Sequence, residues 1–205
     1  LGHPLHAFDL DRLAGNSIVV RRAGSDRALT TLDGKERGLQ PDMLMICDAE
    51  RAVAIGGVMG GANSEISGAT TRILIEGAYF QPASVRRTAR TLGLSTEASY
   101  RFERGADPAM ASMAVDRAAR LIQELTGASV HPGLIDVAPG RQEPAAVSVR
   151  VRRTNEILGT EIPGPRMREY LERIGAKVTE PQTGEFAAVP PSYRVDLTQE
   201  IDFVE

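Results

Sequence analysis

The 205-residue chain is poor in several residue types, and each shortage narrows what it does. Its single cysteine, Cys47, excludes an internal disulfide framework and any multi-cysteine zinc site. It has no tryptophan and only 4% aromatic residues, too few for a broad base-stacking platform. Lysine is confined to Lys35 and Lys177 among 24 basic side chains, and the net charge of −3 argues against a strongly basic nucleic-acid grip. Arginine favours planar, bidentate partners such as phosphate and carboxylate, although a codon bias toward arginine explains the same excess. No apolar run approaches the ~20 residues of a membrane span, and LGHPLHAFD is neither a signal nor a transit peptide. Leu1 is not an initiator Met, and EIDFVE reads as the start of a helix. The expectation is therefore an excised piece of a longer cytoplasmic chain.

What is present is an ordinary soluble balance, 42% hydrophobic and 25% charged, able to bury a real core. The pattern predicts two blocks, 1–140 and 145–205, separated by the loop Val137–Pro144. Short strands open the first block: Ser17–Arg22, Met43–Asp48, Ala52–Gly56 and Ile73–Gly77. Ala28–Leu32 and Lys35–Leu39 flank Asp33–Gly34, which predicts a hairpin with a type I′ turn. Helices follow at Pro82–Leu92, ended by Gly93, and at Pro108–Thr126, capped by Asp107 and ended by Gly127. In the longer helix Met110, Ala114, Ala118, Leu121, Ile122 and Leu125 share one face. Strands followed by helices, without βαβ alternation, predict an α+β class: a mixed or antiparallel, β-rich module with packed helices. In the second block a strand at Val147–Val151, a helix capped by Thr154, an amphipathic helix Pro165–Ile174 and a hairpin Lys177–Thr179/Phe186–Val189 outline a small winged-helix-like domain.

Glu76 is the most informative residue. It stands in ILIEGAYF, among apolar neighbours, and alternation alone leaves it even odds of facing solvent. Facing inward, a carboxylate must be paired or wait for a polar ligand group, and it then separates a ligand hydroxyl from a hydrogen. The segment GGVMGGANS lacks the Gly-Lys-Ser/Thr of a phosphate loop and GxGxxG; its double glycines either let a ligand approach backbone or form a tight inter-strand loop. His3, His6 and His131 are scattered without metal-ligand spacing, and no serine elbow is present. The stretch TEASYRFERG offers hydroxyls and guanidinium groups to a cleft, or is a salt-bridged loop. Asp202 and Glu205 share a helical face near Asp196, an oxygen set that suits Mg²⁺ or simply an acidic helix start.

Taken in order, GHPLHAFD, LDG, AIGGVMGGANS, ILIEGAYF, STEASYRFERGADP and PSYRVD resemble the β subunit of bacterial phenylalanyl-tRNA synthetases over essentially the whole chain. The resemblance implies an editing module, which hydrolyses tyrosine wrongly esterified to tRNA(Phe), followed by a winged-helix-like module. By motif it implies that His6, with Pro4 beside it, lines the site, that Gly60 forms its wall, that Glu76 recognises the tyrosine hydroxyl, and that Thr96 and Ala98 lie close to substrate. His6, Glu76 and Thr96 are thereby expected as the catalytic set. Asp196, Asp202 and Glu205 match Mg²⁺ positions, and the family motif carries a further acidic residue after Glu205. The implied whole enzyme is a cytoplasmic α2β2 ligase using ATP, with its synthetic site on the α subunit, so this chain alone is not expected to aminoacylate. A non-catalytic tRNA-binding or subunit-scaffolding piece is the main alternative, and a free-standing editing protein a weaker one. Arg86, Arg87, Arg90, Arg101 and Arg104 are candidates to attract the tRNA acceptor end.

Overall fold

The computed structural model describes residues 2–140 and 143–205. Arg141 and Gln142, within the expected inter-block loop, lie outside the described residues. Two units, Leu1–Ile135 and Asp136–Glu205, each hold their own apolar core.

In chain order the first unit contains β1 (His6–Asp9), β2 (Val19–Arg22), β3 (Ala28–Thr30), β4 (Glu36–Gly38), β5 (Leu44–Cys47), β6 (Ala52–Ile55), β7 (Met59–Gly60) and β8 (Ile73–Glu76), then α1 (Pro82–Leu92), α2 (Glu97–Phe102) and α3 (Ala111–Thr126). The apolar runs of β5 and β6 organise it. They are the middle strands of an antiparallel sheet ordered β2-β5-β6-β7, and all four residues of β6 are buried, as a strand covered on both faces requires. Helix α1 starts at Pro82, buries Val85, Thr88 and Ala89 at helical spacing, and ends where Gly93 turns left-handed at φ 62°. Phe80 and Phe102 meet edge to face, centroids 5.0 Å apart, and join the approach to α1 with α2.

The hairpin of β3 and β4 forms, with a different turn from the expected type I′. Only Gly34 has positive φ (74°); Asp33 does not, and Gly34 N–H donates to Thr31 O at 2.8 Å. An ordinary turn followed by a left-handed glycine satisfies the strands because Asp33 is occupied: its carboxylate accepts from Thr31 Oγ1 (2.6 Å) and pairs with Arg37. The helix expected from Pro108 begins as a 3-10 turn, Pro108–Met110, with Asp107 accepting from Ala109 N–H, and becomes α-helical at Ala111. The apolar face of α3 is only partly used. Val115 seats against Gly77, but no residue of α3 is buried, and Leu125 is 84% exposed. Length explains this: β8 spans about 13 Å, whereas α3 runs about 24 Å.

The second unit contains β9 (Val147–Arg150), α4 (Val151–Leu158), α5 (Gly164–Arg173), β10 (Lys177–Gln182), β11 (Glu185–Val189) and α6 (Glu200–Val204). The expected two-stranded wing is part of a three-stranded antiparallel sheet, β10-β11-β9, whose core is Val149, Met167, Leu171, Val178 and Phe186. Thr154 is not a cap. The chain leaves β9 straight into α4 because Glu200 takes the Arg150 N–H and guanidinium and pairs with Arg153, which leaves Thr154 buried within the helix. The class is α+β throughout.

The contact at Gly77 yields a test. A Cβ there would stand 2.4 Å from Val115 Cγ2 and 3.1 Å from Ala111 O. Gly77→Ala is expected to cost about 1–3 kcal/mol in denaturant unfolding, and Val115→Ala to recover part of that in a double-mutant cycle.

Candidate active site

Strands β1 and β8 form an antiparallel ribbon apart from the main sheet, and its register sets His6 opposite Glu76 and Phe8 opposite Leu74. Directly opposed residues project to the same side, so these four side chains share one face. Phe8 is fully buried there, and the His6 ring stands edge-on to it with centroids 4.5 Å apart.

At the end of this face two polar atoms are sealed from water without a hydrogen-bond partner among the described residues: Glu76 Oε2 and His6 Nε2. Loss of hydration pushes the Glu76 carboxyl up to about 7 and the His6 imidazole below its ordinary value. Alternation left the orientation of Glu76 open; the residue is half-buried and its Oε2 is enclosed.

Gly60, at the end of β7, makes the third side. A Cβ on it would lie 2.5 Å from His6 Cε1, 3.0 Å from His6 Nε2 and 3.0 Å from Leu32 Cδ1, so the imidazole occupies the space a side chain would need. The neighbouring glycines serve the chain itself. Gly57 has φ 69° beneath the Phe80 ring, and a Cβ on Gly61 would meet Val53 O at 2.6 Å. Here the tight-loop reading of the double glycines holds, while Gly60 alone faces the site.

Thr96 reaches this region through backbone. Its hydroxyl donates to Val58 O (2.8 Å) and accepts from Ser99 N–H (3.0 Å) as the cap of α2, with Ser99 Oγ returning the bond to Thr96 N–H. It ties the start of α2 to the strand leading into Gly60, and its hydroxyl is engaged in doing so. Ala98 is half-buried against the core, and Pro4 is half-buried two residues before His6. His3 and Arg101 hold this leading segment: His3 Nε2 lies 3.0 Å from Gly105 O and Arg101 donates to Gly2 O at 3.0 Å. Of the expected site residues, His6, Gly60 and Glu76 converge, Thr96 supports them, and Pro4 and Ala98 flank them. Leu32 and Phe8 were missed. The period of two in HAFD would have placed Phe8 on the His6 face; Leu32 left no signal beyond an apolar residue in a turn.

The acidic residues of the second unit are spent locally. Asp196 takes a two-pronged bond from Arg194 (2.9 and 2.7 Å), which holds its carboxyl below the usual range. Asp202 caps α6, accepting from Thr198 N–H, Gln199 N–H and Thr198 Oγ1, and these backbone donors lower its carboxyl likewise. Glu205 is exposed. No group of three or more His, Cys, Asp or Glu side chains among the described residues is arranged to hold a metal ion. No chemical step is assigned to Mg²⁺ here. Several of the candidate arginines are paired as well: Arg101 with Glu97, Arg104 with Glu103 and Arg87 with Asp42, while Arg86 and Arg90 are exposed.

Residues 1–127 match the B3/4 domain and residues 147–205 the tRNA synthetase B5 domain. The chain belongs to the B3/4 domain family. Across its whole length it is similar to phenylalanine–tRNA ligase beta subunits, 53% identical over 205 residues to that of Moorella thermoacetica and 48% over 204 residues to that of Geobacter sulfurreducens. All of this chain is covered in both comparisons, and 25% and 26% of those proteins, so the chain spans about a quarter of the length of these relatives. An N-terminal fragment of the phenylalanyl-tRNA synthetase β subunit from Pyrococcus horikoshii matches 98% of this chain and 57% of its own, at 13% identity and TM-score 0.46. The resemblance carried by the sequence motifs agrees with the domain matches and with these relatives.

The enclosed carboxyl has a stability consequence with a definite sign. In the unfolded chain Glu76 ionises near its ordinary value of 4.5, in the folded protein near 7, so folding takes up a proton between those values. Its contribution to stability is fullest below pH 4.5 and is lost as pH rises through 7. Glu76→Gln is expected to gain about 2–3 kcal/mol in denaturant unfolding at pH 8 and little at pH 4. Gly60→Ala, by contrast, must displace the imidazole and is expected to lower the unfolding midpoint at both pH values.

Proposed function

We propose that the first unit hydrolyses tyrosine esterified to tRNA(Phe), as the editing site of a phenylalanine–tRNA ligase β subunit. One observation carries this reading: the sealed, unpartnered Glu76 carboxyl, held opposite an equally unpartnered imidazole at the end of an apolar face. A phenol suits that arrangement. Its ring would lie along Leu74, with the buried Phe8 packed behind the imidazole, and its hydroxyl would donate to Glu76 and accept from His6 Nε2–H. A phenylalanyl ester would leave both polar groups unsatisfied, and sites built around a ligand hydroxyl reject the analogue lacking it by about 10⁴-fold or more. The names of the relatives point to phenylalanine and tRNA, and the tyrosyl ester is what the motif resemblance implies.

The same arrangement places His6 at the hydroxyl end of the ligand, away from the ester. Thr96, whose hydroxyl is engaged by Val58 and Ser99, acts as a positioning residue that fixes the pocket wall. Hydrolysis then rests on a water held at the ester carbonyl and on oriented donors, without a covalent nucleophile. In this reading the whole enzyme is the cytoplasmic ligase that joins phenylalanine to tRNA(Phe) with ATP, and its synthetic site resides on the α subunit.

The test is deacylation of Tyr-tRNA(Phe) and Phe-tRNA(Phe) by the full-length protein and its Glu76→Ala and Glu76→Gln variants. Both variants are expected to lose most of the discrimination in kcat/KM; unchanged hydrolysis of Tyr-tRNA(Phe) overturns the assignment, and absence of hydrolysis in the unmodified protein favours the scaffolding alternative. Discrimination by the unmodified protein is expected to rise as pH increases through about 7, because the ionised carboxylate is the stronger acceptor.

A further inference from the structure

We infer that the outward face of α1, with Arg86 and Arg90 at its centre and Arg22 and Arg87 beside them, is a binding surface for the phosphate backbone of RNA. The phosphate-binding character of the face stands on charge and geometry; that the RNA is the tRNA carrying the ester rests on the proposed editing reading.

Helix α1, PASVRRTARTL, carries three arginines and no carboxylate. Every other described α-helix contains at least one acidic residue. Four of them pair arginine with an acid of the same helix: Arg101 with Glu97 in α2, Arg120 with Glu124 in α3, Arg152 with Glu156 in α4 and Arg168 with Glu172 in α5. Arg86 and Arg90 are exposed and have no ion pair or hydrogen bond among the described residues. A codon preference accounts for arginine in place of lysine, but not for the missing carboxylates. A spacing of four sets the two guanidinium groups on one face, about 6 Å apart along the axis, where like charges repel and weaken the helix. The helix dipole favours Arg90 in the last turn and gives Arg86 nothing. The chain as a whole has a net charge of −3, so this face is cationic against the trend of its own composition.

The rest of the structure holds this face outward. Val85, Thr88 and Ala89 bury the opposite side of α1 and leave Arg86, Arg87 and Arg90 in solvent. Arg22, on the edge strand β2, reaches the first turn of the helix, donating to Asp42 O at 2.5 Å and to Ser84 Oγ at 3.4 Å. The Asp42 carboxylate lies 3.4 Å from Arg87, with both side chains more than half exposed, a pair weak enough for a phosphate to displace. Guanidinium groups bind phosphate oxygens two at a time, and an extended polyanion meets Arg86 and Arg90 together where a single small anion meets one. From Arg90 the chain passes through Gly93, Leu94 and Ser95 to Thr96, whose hydroxyl bonds Val58 O in the segment leading into Gly60. Backbone phosphates held on α1 are thereby anchored to the element that fixes the wall of the candidate site.

The experiment titrates the full-length protein with unesterified tRNA(Phe) over a series of salt concentrations. It compares the unmodified protein with Arg86→Gln/Arg90→Gln, with the charge-retaining Arg86→Lys/Arg90→Lys, and with Arg117→Gln/Arg120→Gln, which removes the same charge from α3. The α1 glutamine pair is expected to weaken binding about 10-fold at low salt and to reduce the slope of log K against log salt by about 1.5. The lysine pair is expected to keep most of the slope, and the α3 pair to leave it nearly unchanged. In hydrolysis of Tyr-tRNA(Phe) the α1 glutamine pair is expected to raise KM with little change in kcat. Relief of the like-charge repulsion is expected to leave its unfolding midpoint level or slightly higher, which separates loss of the surface from loss of the fold. An unchanged salt slope in the α1 glutamine pair overturns the inference, and with a lowered unfolding midpoint it shows that the arginines serve a protein contact instead. An equal fall in slope in the α3 pair also overturns it, because net charge alone is then responsible. If the unmodified protein does not hydrolyse Tyr-tRNA(Phe), the editing reading fails, and the salt slope still decides the surface.

Discussion

A carboxyl oxygen removed from water with no hydrogen-bond partner among the described residues, Glu76 Oε2, is the constraint around which the candidate site is arranged. Two neighbouring carboxylates of the unit, Asp48 and Asp9, are hydrogen-bonded within the fold. Asp48 accepts three backbone N–H bonds, from Ala14, Glu50 and Arg51, which hold it below the usual range against the upward push of burial. Asp9 takes the Asp11 N–H and the Thr70 hydroxyl. Glu76 sits on the strand paired with that of Asp9, in the same four-residue register, and Oε2 has no such partner among the described residues. A carboxyl oxygen left enclosed without a donor carries a cost, and the cost is intelligible if a ligand supplies the missing donor.

The scaffold around that carboxyl is a set of short ties rather than one large element. The ribbon of β1 and β8 supplies imidazole and carboxyl from opposite strands. The end of β7 supplies the glycine that leaves room for the ring. Thr96 bonds the residue two before that glycine, and the hairpin tip bonds the glycine's own carbonyl. Four pieces distant in sequence are thereby fixed to one another within a few ångströms of Gly60. Regular elements this short cannot be positioned by helix or strand packing alone, which is why so many of the contacts are single backbone hydrogen bonds.

This also explains which features were legible in the sequence. Apolar runs such as LMIC and AVAI become the central strands because burial on both faces needs nothing beyond side-chain type. Helix limits at Pro82, Gly93 and Gly127 were readable because they depend on backbone freedom at one residue. The turn at Asp33–Gly34 differed because the aspartate was recruited by Thr31 and Arg37, one neighbour and one residue across the hairpin. Thr154 was misplaced because the helix starts earlier, at Val151 directly after β9, where Glu200 takes the N–H of Arg150, fifty residues before it. Glu76 was marked by composition, since a carboxylate among isoleucines and leucine is unusual, but its orientation depended on pairing with a strand seventy residues earlier. Leu32 was invisible for the same reason: its neighbour is a glycine, which carries no pattern of its own.

The acidic residues of the second unit show the opposite case, where a suggestive cluster is explained without a ligand. Asp202 closes the first turn of a five-residue helix, a position at which backbone N–H groups lack partners of their own and a carboxylate is favoured. Asp196 neutralises an arginine two residues before it. Each of these carboxylates has donors within its own segment, and Glu76 Oε2 has none among the described residues. Proximity in sequence is therefore a poor guide to function in this chain. Among the described residues of the first unit, enclosed atoms without a hydrogen-bond partner remain on His6, Asp26, Asn63 and Glu76; Asp26 is ion-paired with Arg21, and the Glu76 carboxyl and His6 imidazole are the two that face each other across β1 and β8.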